Sequence, residues 1–263
     1  VNAPEGVLVK PSAAENSSTL VSCLPVPTPG APEKHAVRSM FDRIAPRYDL
    51  LNRLLSLGTD RRWRRAAVDY LELPGHARVL DLCTGTADLM IEALSRGARR
   101  RAVGLDLSLP MLERGGGKLH RRGLSERGAL LAGDAERLPF AASAFDGAMV
   151  AFGIRNIGAV EAALGELLRV LRAGGRLVVL EFGRPRGVLG DAFQLYFERV
   201  LPRLGGAVSG DRAAYAYLPA SVGRFPEPAA FAGLLRRAGF VRVEWRPLTL
   251  GVAHLFRADV ESR

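Results

Sequence analysis

Asp81, Gly85 and Asp106 are the residues whose types and spacing speak most directly of chemistry. They fall within Arg78 to Asp106, RVLDLCTGTADLMIEALSRGARRRAVGLD. A dinucleotide site asks for G-x-G-x-x-G, so that backbone amides and a helix N-terminus can meet a pyrophosphate. Here those places hold Gly85, Ala87 and Met90, and the carboxylate of Asp81 just before the turn would repel phosphate. The same carboxylate suits a ligand with a cationic ammonium group and no phosphate. Asp106 lies 21 residues beyond Gly85, a spacing that fits a carboxylate accepting from two ribose hydroxyls. S-adenosylmethionine (SAM), with an amino-acid tail, a sulfonium, a ribose and an adenine, meets both demands. The alternative is that the two acids merely end strands.

The elements that must position these groups are legible around them. Arg78–Leu82 is a short apolar run rich in β-formers, and Cys83–Thr86 a turn of small residues. Ala87–Leu94 returns to helical spacing, and Ala102–Leu107 is a second strand. Strand, tight turn, helix, strand and acid form the layout of a ligand site on a doubly wound α/β sheet. Beyond it, Ser108 can cap a helix through Arg114, and Leu130–Ala132 is a brief strand. Phe145–Phe152 is a fourth strand, Val160–Leu171 a helix, and Arg176–Phe182 a fifth strand after a Gly174-Gly175 turn. Asp134 closes the third strand, where it can reach an adenine amino group; an exposed loop acid is the alternative.

Ahead of the sheet, HAVRSMFDRIAPRYDLLNRLLSLGTDRRWRR predicts an amphipathic helix to Ile44, a break at Pro46, a second helical stretch and a third from near Asp60. Met40, Phe41, Ile44, Leu50, Leu51, Leu54 and Leu55 would cap the sheet. Residues 1–34 are Pro, Ser, Ala and Glu without periodicity and read as a disordered tail. Leu20-Val21-Ser22-Cys23 has the form of a lipoprotein cleavage box, but the polar PSAAENSS before it supplies no apolar signal region.

The 263 residues allow one large domain or two small ones, and no apolar run approaches the ~18 residues of a spanning helix. Two cysteines, Cys23 and Cys83, form neither a disulfide framework nor a metal spacing, which fits a reducing cytoplasm. The net charge of +10 is carried almost wholly by arginine. Nine basic side chains between Arg96 and Arg127 face three acids, and such a surface is compatible with nucleic acid or anionic lipid. A solvated helix face is the plainer reading.

GIRNI follows the fourth strand, at the slot where an amino-methylating nucleic-acid enzyme would carry [DN]-P-P-[YF]. Arg155 and Asn156 offer a cation and an amide there, which suits an anionic oxygen on an acceptor. A structural salt bridge is the alternative for Arg155.

Taken together, YDLLNRLLSLGTDRRW, DLCTGTAD, AFGIRN, RVLRAGGRLVVLEF and SGDRAAYAYLPASVGRFP resemble the C-methyltransferases of menaquinone and ubiquinone biosynthesis, over roughly Ala36 to Arg257. The resemblance implies a class I methyltransferase fold, a Rossmann-like seven-stranded sheet with an antiparallel strand near the C-terminus, VRVEWRPL and GVAHLFRA being the last two strands. It implies a methyltransferase domain over 35–263: a helical cap (35–75), a SAM-binding core (76–183), an acceptor- or membrane-facing insertion (184–226) and a C-terminal helix with strands (227–263). Asp81, Thr84, Gly85, Thr86, Asp106, Leu107, Asp134 and Ala135 would bind SAM; Arg155, Asn156 and Tyr48 would serve catalysis without a metal. Among its departures from the family pattern, Ala87 takes a usual glycine place, Gly183 a usual serine, Ala220 a usual glutamate and Leu250 a usual glycine. Gly183 and Ala220 bear on the acceptor pocket.

The expected reaction is C-methylation of a prenylated quinol, demethylmenaquinol in the first place. The expected setting is the cytoplasm, peripheral at the anionic inner face of a membrane. The segment Gly187–Pro226, with Val188, Leu189, Phe193, Leu195, Tyr196, Phe197, Val200 and Leu201 in quick succession and Arg184, Arg186, Arg199, Arg203 and Arg212 in and beside it, would supply an interfacial helix, an acceptor-pocket lining or a homodimer contact. The other readings are methylation of another phenol or a polyketide, a basic nucleic-acid-binding module, and a SAM-binding protein without catalysis. The missing [DN]-P-P-[YF] and the lack of an aromatic-interleaved basic stripe speak against nucleic acid.

Overall fold

The computed structural model describes residues 33–262 apart from 57, 186, 188–189 and 191–211. The expected tail lies outside the described residues up to residue 32, and so does the apolar run 188–201 except for Gly190. Lys34, assigned to the tail from sequence, instead opens the first helix.

The cap consists of α1 (Lys34–Ile44), a 3₁₀ turn (Ala45–Arg47), α2 (Tyr48–Leu55) and α3 (Thr59–Leu71). The break falls at Pro46, whose ring excludes an α-helical hydrogen bond and crowds the preceding turn. There follow β1 (Arg78–Leu82), α4 (Asp88–Ser95), β2 (Arg101–Asp106), α5 (Leu109–Arg121), β3 (Gly128–Ala132) and β4 (Phe145–Ala151). After a 3₁₀ turn (Ile154–Asn156) come α6 (Val160–Val170), β5 (Leu171–Phe182), α7 (Arg212–Arg224), α8 (Pro228–Arg237), β6 (Val241–Leu248) and β7 (Ala253–Asp259).

The seven strands form one sheet in the order β3-β2-β1-β4-β5-β7-β6. β7 runs antiparallel to both its neighbours, while β1 to β5 pair in parallel. Strand order reverses between β1 and β4, which opens a crevice at their carboxyl ends. The central strands are buried on both faces, as parallel strands flanked by helices must be. Leu80, Leu82, Val150 and Val179 pack toward Leu164 and Leu167 of α6 and Phe231 of α8. The alternate residues Val79, Met149, Val178 and Leu180 pack toward Trp63, Leu71 and Met90 of α3 and α4. No described helix is long and apolar enough to cross a membrane.

Three local expectations shift. The helix after Ser108 continues past Arg114 to Arg121 through three glycines. Burial of Met111, Leu112 and Leu119 carries it, and a Cβ at Gly115 would stand 3.1 Å from Ala87 Cβ and Leu130 Cδ1. The low helix propensity of glycine is thus the cost of bringing α5 close to the cofactor turn. β5 begins at Leu171, opposite Phe145; residues 172–175 bulge out, with Gly174 at φ 70°, before Arg176 pairs with Gly147. Of the basic run 96–127, Arg96, Arg99, Arg101, Arg114, Arg121 and Arg122 are exposed as a solvated surface would have them, while Arg100, Lys118 and Arg127 are not. Arg100 is buried and donates to the carbonyls of Ala93 and Leu73, Arg127 donates to those of Leu94 and Gly97, and Arg96 pairs with Asp69 and Glu92.

Two departures from the family pattern acquire a physical setting. A Cβ at Gly183 would meet His254 Nδ1 at 2.2 Å, so the buried imidazole fills the place a serine side chain would take. Leu250 is exposed at φ 57°, a conformation that glycine adopts without strain and a leucine does not.

Candidate active site

The turn between β1 and α4 alternates in hand. Cys83, Gly85 and Ala87 all take positive φ (55°, 54° and 64°), and this folds the chain back across the end of β2. Thr84 N donates to Leu105 O (3.1 Å) and Gly85 N to Asp106 Oδ2 (2.8 Å). The other Asp106 oxygen accepts from Ser108 N (2.9 Å), whose hydroxyl caps α5 by accepting from Met111 N. Each carboxylate oxygen has more than one lone-pair direction, so Asp106 keeps acceptor capacity toward the cleft it lines. Burial pushes its carboxyl above the usual range, and the amides of Ser108 and Gly85 oppose that.

Asp81 is buried at the end of β1. Its Oδ2 accepts from Thr84 Oγ1 (2.6 Å) and Met90 N (3.1 Å), while Oδ1 has no hydrogen-bond partner among the described residues. Burial pushes this carboxyl up to about 7, against the bonds from Thr84 and Met90 and the nearby charge of Arg64.

These groups line two neighbouring spaces that share Tyr48, Cys83, Gly85, Ala151 and Phe152 as walls. The larger cleft is walled by Gly85, Asp106, Leu107, Asp134 and Ala135, with Phe152 and Asn156 at its far side. The smaller recess holds Asp81, Thr84, Gly85, Thr86, Asp88 and Arg64. Tyr48 borders both. All eight residues expected from sequence to bind SAM therefore line one space or the other, but not all with free polar groups. Thr84 Oγ1 is committed to Asp81, and Thr86 Oγ1 donates to Asp49 of α2 at 2.5 Å. Asp134 is half-exposed and paired with Lys34 Nζ (2.8 Å), so α1 is tied to the cleft rim.

The residues fit SAM on their own chemistry. One acid, Asp106, with its two oxygens fixed by backbone amides, lines the cleft as a ribose acceptor, and apolar Leu107, Met111 and Ile157 line the same cleft. A second acid waits in a recess for a cationic tail. A pyrophosphate would meet carboxylates on both sides.

Of the acceptor-side residues, Tyr48 and Asn156 line the cleft and the Arg155 guanidinium does not. Arg155 Nη1 donates to Glu181 Oε1 (2.6 Å) and Phe152 O (2.5 Å), and Nε to Ser221 Oγ (3.2 Å). The salt bridge held open as its alternative is present, with side-chain exposures of 6% for Arg155 and 0% for Glu181. Asn156 Oδ1 accepts from Tyr217 OH of α7 at 3.0 Å, which orients its amide nitrogen away from Tyr217.

Glu181, Ser221, Tyr217 and Arg64 were missed from sequence. Two had a signal. Glu181 is an acid inside the apolar run RLVVLEF, where a buried charge must find a partner. Arg64 lies four residues after Asp60 on the face that also carries Trp63, Ala67 and Leu71, hence on the buried face of α3. Ser221 and Tyr217 gave none.

Asp81 makes a pH prediction. A raised carboxyl keeps its proton below about pH 7 in the free protein, whereas pairing with an ammonium group requires the carboxylate. SAM affinity should therefore fall by up to ~tenfold per pH unit as pH drops below about 7, and level off above it. Calorimetry between pH ~5.5 and ~7.5, below the ~7.7–8.0 of an α-amino group, reads this directly. Asp81→Asn should abolish the slope; a flat wild-type profile would remove Asp81 from the tail site.

The ubiE/COQ5 methyltransferase family matches residues 30–259. The demethylmenaquinone methyltransferase of Thermus thermophilus is 51% identical over 221 residues, 84% of this chain and 99% of that protein. That of Deinococcus radiodurans is 48% identical over 225 residues, covering 85% of this chain and 92% of its own. Among solved structures the [4+2]-cyclase SpnF superposes with a TM-score of 0.68 at 19% identity, over 89% of this chain and 98% of that one. Phosphoethanolamine N-methyltransferase 2 of Haemonchus contortus, solved with SAM, gives 0.56 at 15% identity, over 76% of this chain and 52% of that one. The structural likenesses speak for the fold, and the sequence matches for descent. With the Asp81, Gly85 and Asp106 geometry they show that this chain is a SAM-dependent methyltransferase belonging to the ubiE/COQ5 methyltransferase family.

Proposed function

We propose that the protein transfers the methyl group of SAM to a ring carbon of a prenylated, demethylated quinol, and that demethylmenaquinol is its substrate. The observation that carries this reading is the 51% identity with the Thermus thermophilus demethylmenaquinone methyltransferase across 99% of that protein. A ring carbon ortho to a phenol becomes nucleophilic when the phenol ionises, and an unperturbed phenol has a pKa of about 10. The enzyme must therefore favour the phenolate and hold the ring in line with the sulfonium methyl.

In this reading Tyr48 closes the acceptor side at the wall the two spaces share. Its own phenol is pushed up by burial, so it stays neutral and can donate. Asn156, whose Oδ1 accepts from Tyr217 and whose Nδ2 reaches Phe152 O at 3.5 Å, would offer its second amide N–H to the acceptor oxygen. Arg155 stands behind it on the same 3₁₀ turn, a positive charge partly offset by Glu181. SAM supplies the electrophilic methyl group, and the ring proton departs to water. A prenyl tail would keep the acceptor in a bilayer, and in this reading the protein works from the cytoplasm at an anionic membrane face, where its net charge of +10 favours contact.

The test is methyl transfer from labelled SAM to demethylmenaquinol in anionic vesicles, with a demethylated benzoquinol and a tailless naphthol alongside. Methylated menaquinol is the expected main product, with turnover falling as salt exceeds ~0.15 M. Turnover of the tailless phenol alone would overturn the prenylquinol assignment. Salt-independent turnover in vesicles would overturn the membrane placement.

A further inference from the structure

We propose that Arg64 receives the carboxylate of the amino-acid tail of SAM, as the counterpart of Asp81 for its ammonium group. The inference rests on the SAM assignment and adds a residue to it. Arg64 projects from α3, outside the β1–α4 turn, into the recess that also contains Asp81, Thr84 and Gly85. Its side chain is only 10% exposed. Burial works against its charge, but Asp88 and Asp60 more than compensate, and the guanidinium is held above its usual pKa.

The distribution of its hydrogen bonds is informative. Nη1 donates to Asp60 Oδ2 and lies 3.8 Å from Asp88 Oδ2. Nε and Nη2 make no hydrogen bond among the described residues. Those two nitrogens form one edge of the guanidinium fork, the edge that grips a carboxylate with two parallel N–H···O bonds. Neither nitrogen is among the buried unpartnered atoms, so both keep contact with solvent space and are free to be taken up by a ligand in the recess that Arg64 lines. The opposite charge stands in the same recess: Asp81 Oδ1 has no hydrogen-bond partner among the described residues, and Arg64 is close enough to lower the pKa of Asp81. A cation with a free fork and an anion with a free oxygen, across one small space, suit a zwitterion of α-amino-acid form. Asp60, bonded also by Ser56 Oγ at 2.8 Å, and Asp88, paired with Lys118, hold the fork in place from behind.

Ligands that differ only in this group test the assignment. Calorimetry would compare SAM, decarboxylated SAM and 5′-methylthioadenosine, on the wild-type protein and on Arg64→Met and Arg64→Lys. The wild type should prefer SAM over decarboxylated SAM by about tenfold or more, as a charge-assisted bidentate pair requires. Arg64→Met should bind the two equally and leave methylthioadenosine affinity within about twofold; Arg64→Lys, which keeps the charge without the fork, should retain part of the preference. A full preference surviving in Arg64→Met would overturn the proposal. If that variant does not fold, equal affinity of the wild type for SAM and decarboxylated SAM overturns it as well. Failure of the wild type to bind SAM at all would instead strike the cofactor assignment on which it rests.

Discussion

Asp106→Ala should bind SAM at least about tenfold more weakly than the wild-type protein, a loss of roughly 1.5–3 kcal/mol for a hydrogen bond to a charged group. The carboxylate sits at the tip of β2 with one oxygen on Gly85 N and the other on Ser108 N, so its direction is set by the backbone before any ligand arrives. Alanine removes the acceptor for the ribose hydroxyls and also unties the β1–α4 turn from β2. Two consequences distinguish these effects. Loss of the ribose contact should weaken methylthioadenosine as much as SAM, because both carry the ribose. Loosening of the turn should weaken SAM more, because the turn also places Asp81 and the tail recess. Calorimetry with both ligands reads the two, and unchanged affinity for both would remove Asp106 from the site.

The second large effect is expected at the pair behind the acceptor side. Glu181→Ala leaves the Arg155 guanidinium buried without its counter-charge, and breaking such a pair from one side costs about 3–5 kcal/mol. In a domain of this size that corresponds to a fall of ~6–20 °C in thermal midpoint, readable by circular dichroism. Burial pushes the Glu181 carboxyl up while Arg155 opposes it, so Glu181→Gln, which keeps the shape and one acceptor, should cost less. From the other side, Arg155→Lys cannot serve Glu181, Phe152 O and Ser221 together, because an ammonium is a point charge and not a planar fork. That variant should keep its SAM affinity and lose turnover, since Asn156 shares its 3₁₀ turn. A Glu181→Ala protein melting within ~2 °C of wild type would show that the pair does not hold this wall.

The strands, the cap break at Pro46 and the Ser108 cap could be read from sequence because each depends on neighbours close in the chain. A short apolar run rich in β-formers makes Arg78–Leu82 a buried strand whatever lies across from it, and a proline interrupts a helix from within. The end of α5 could not be read in this way. From sequence the helix runs only through Arg114, but burial of Leu119 and the close approach of Gly115 to Ala87 and Leu130 extend it to Arg121, and the Ala87 and Leu130 contacts come from other elements. The extra β5 residues at Leu171 likewise depend on Phe145 across the ladder.

The sequence by itself determined that two carboxylates flank one turn, because β1, its turn and β2 are one local unit. Their spacing alone puts Asp81 and Asp106 at the carboxyl end of adjacent strands. It also determined, through AFGIRN and its companion segments, the family to which the chain belongs. What each polar group is free to do was decided only by the tertiary structure. Arg155 looked available to an acceptor until β5 placed Glu181 against it, 26 residues further along the chain. Arg64 looked like one arginine among several in DRRWRR until α3 packed beside the β1–α4 turn and brought its side chain to the wall of the recess that holds Asp81. The reason is physical. Ionic and hydrogen-bonding groups are defined by the partners that exhaust them, and in a sheet ordered β3-β2-β1-β4-β5-β7-β6 those partners come from elements far apart in sequence.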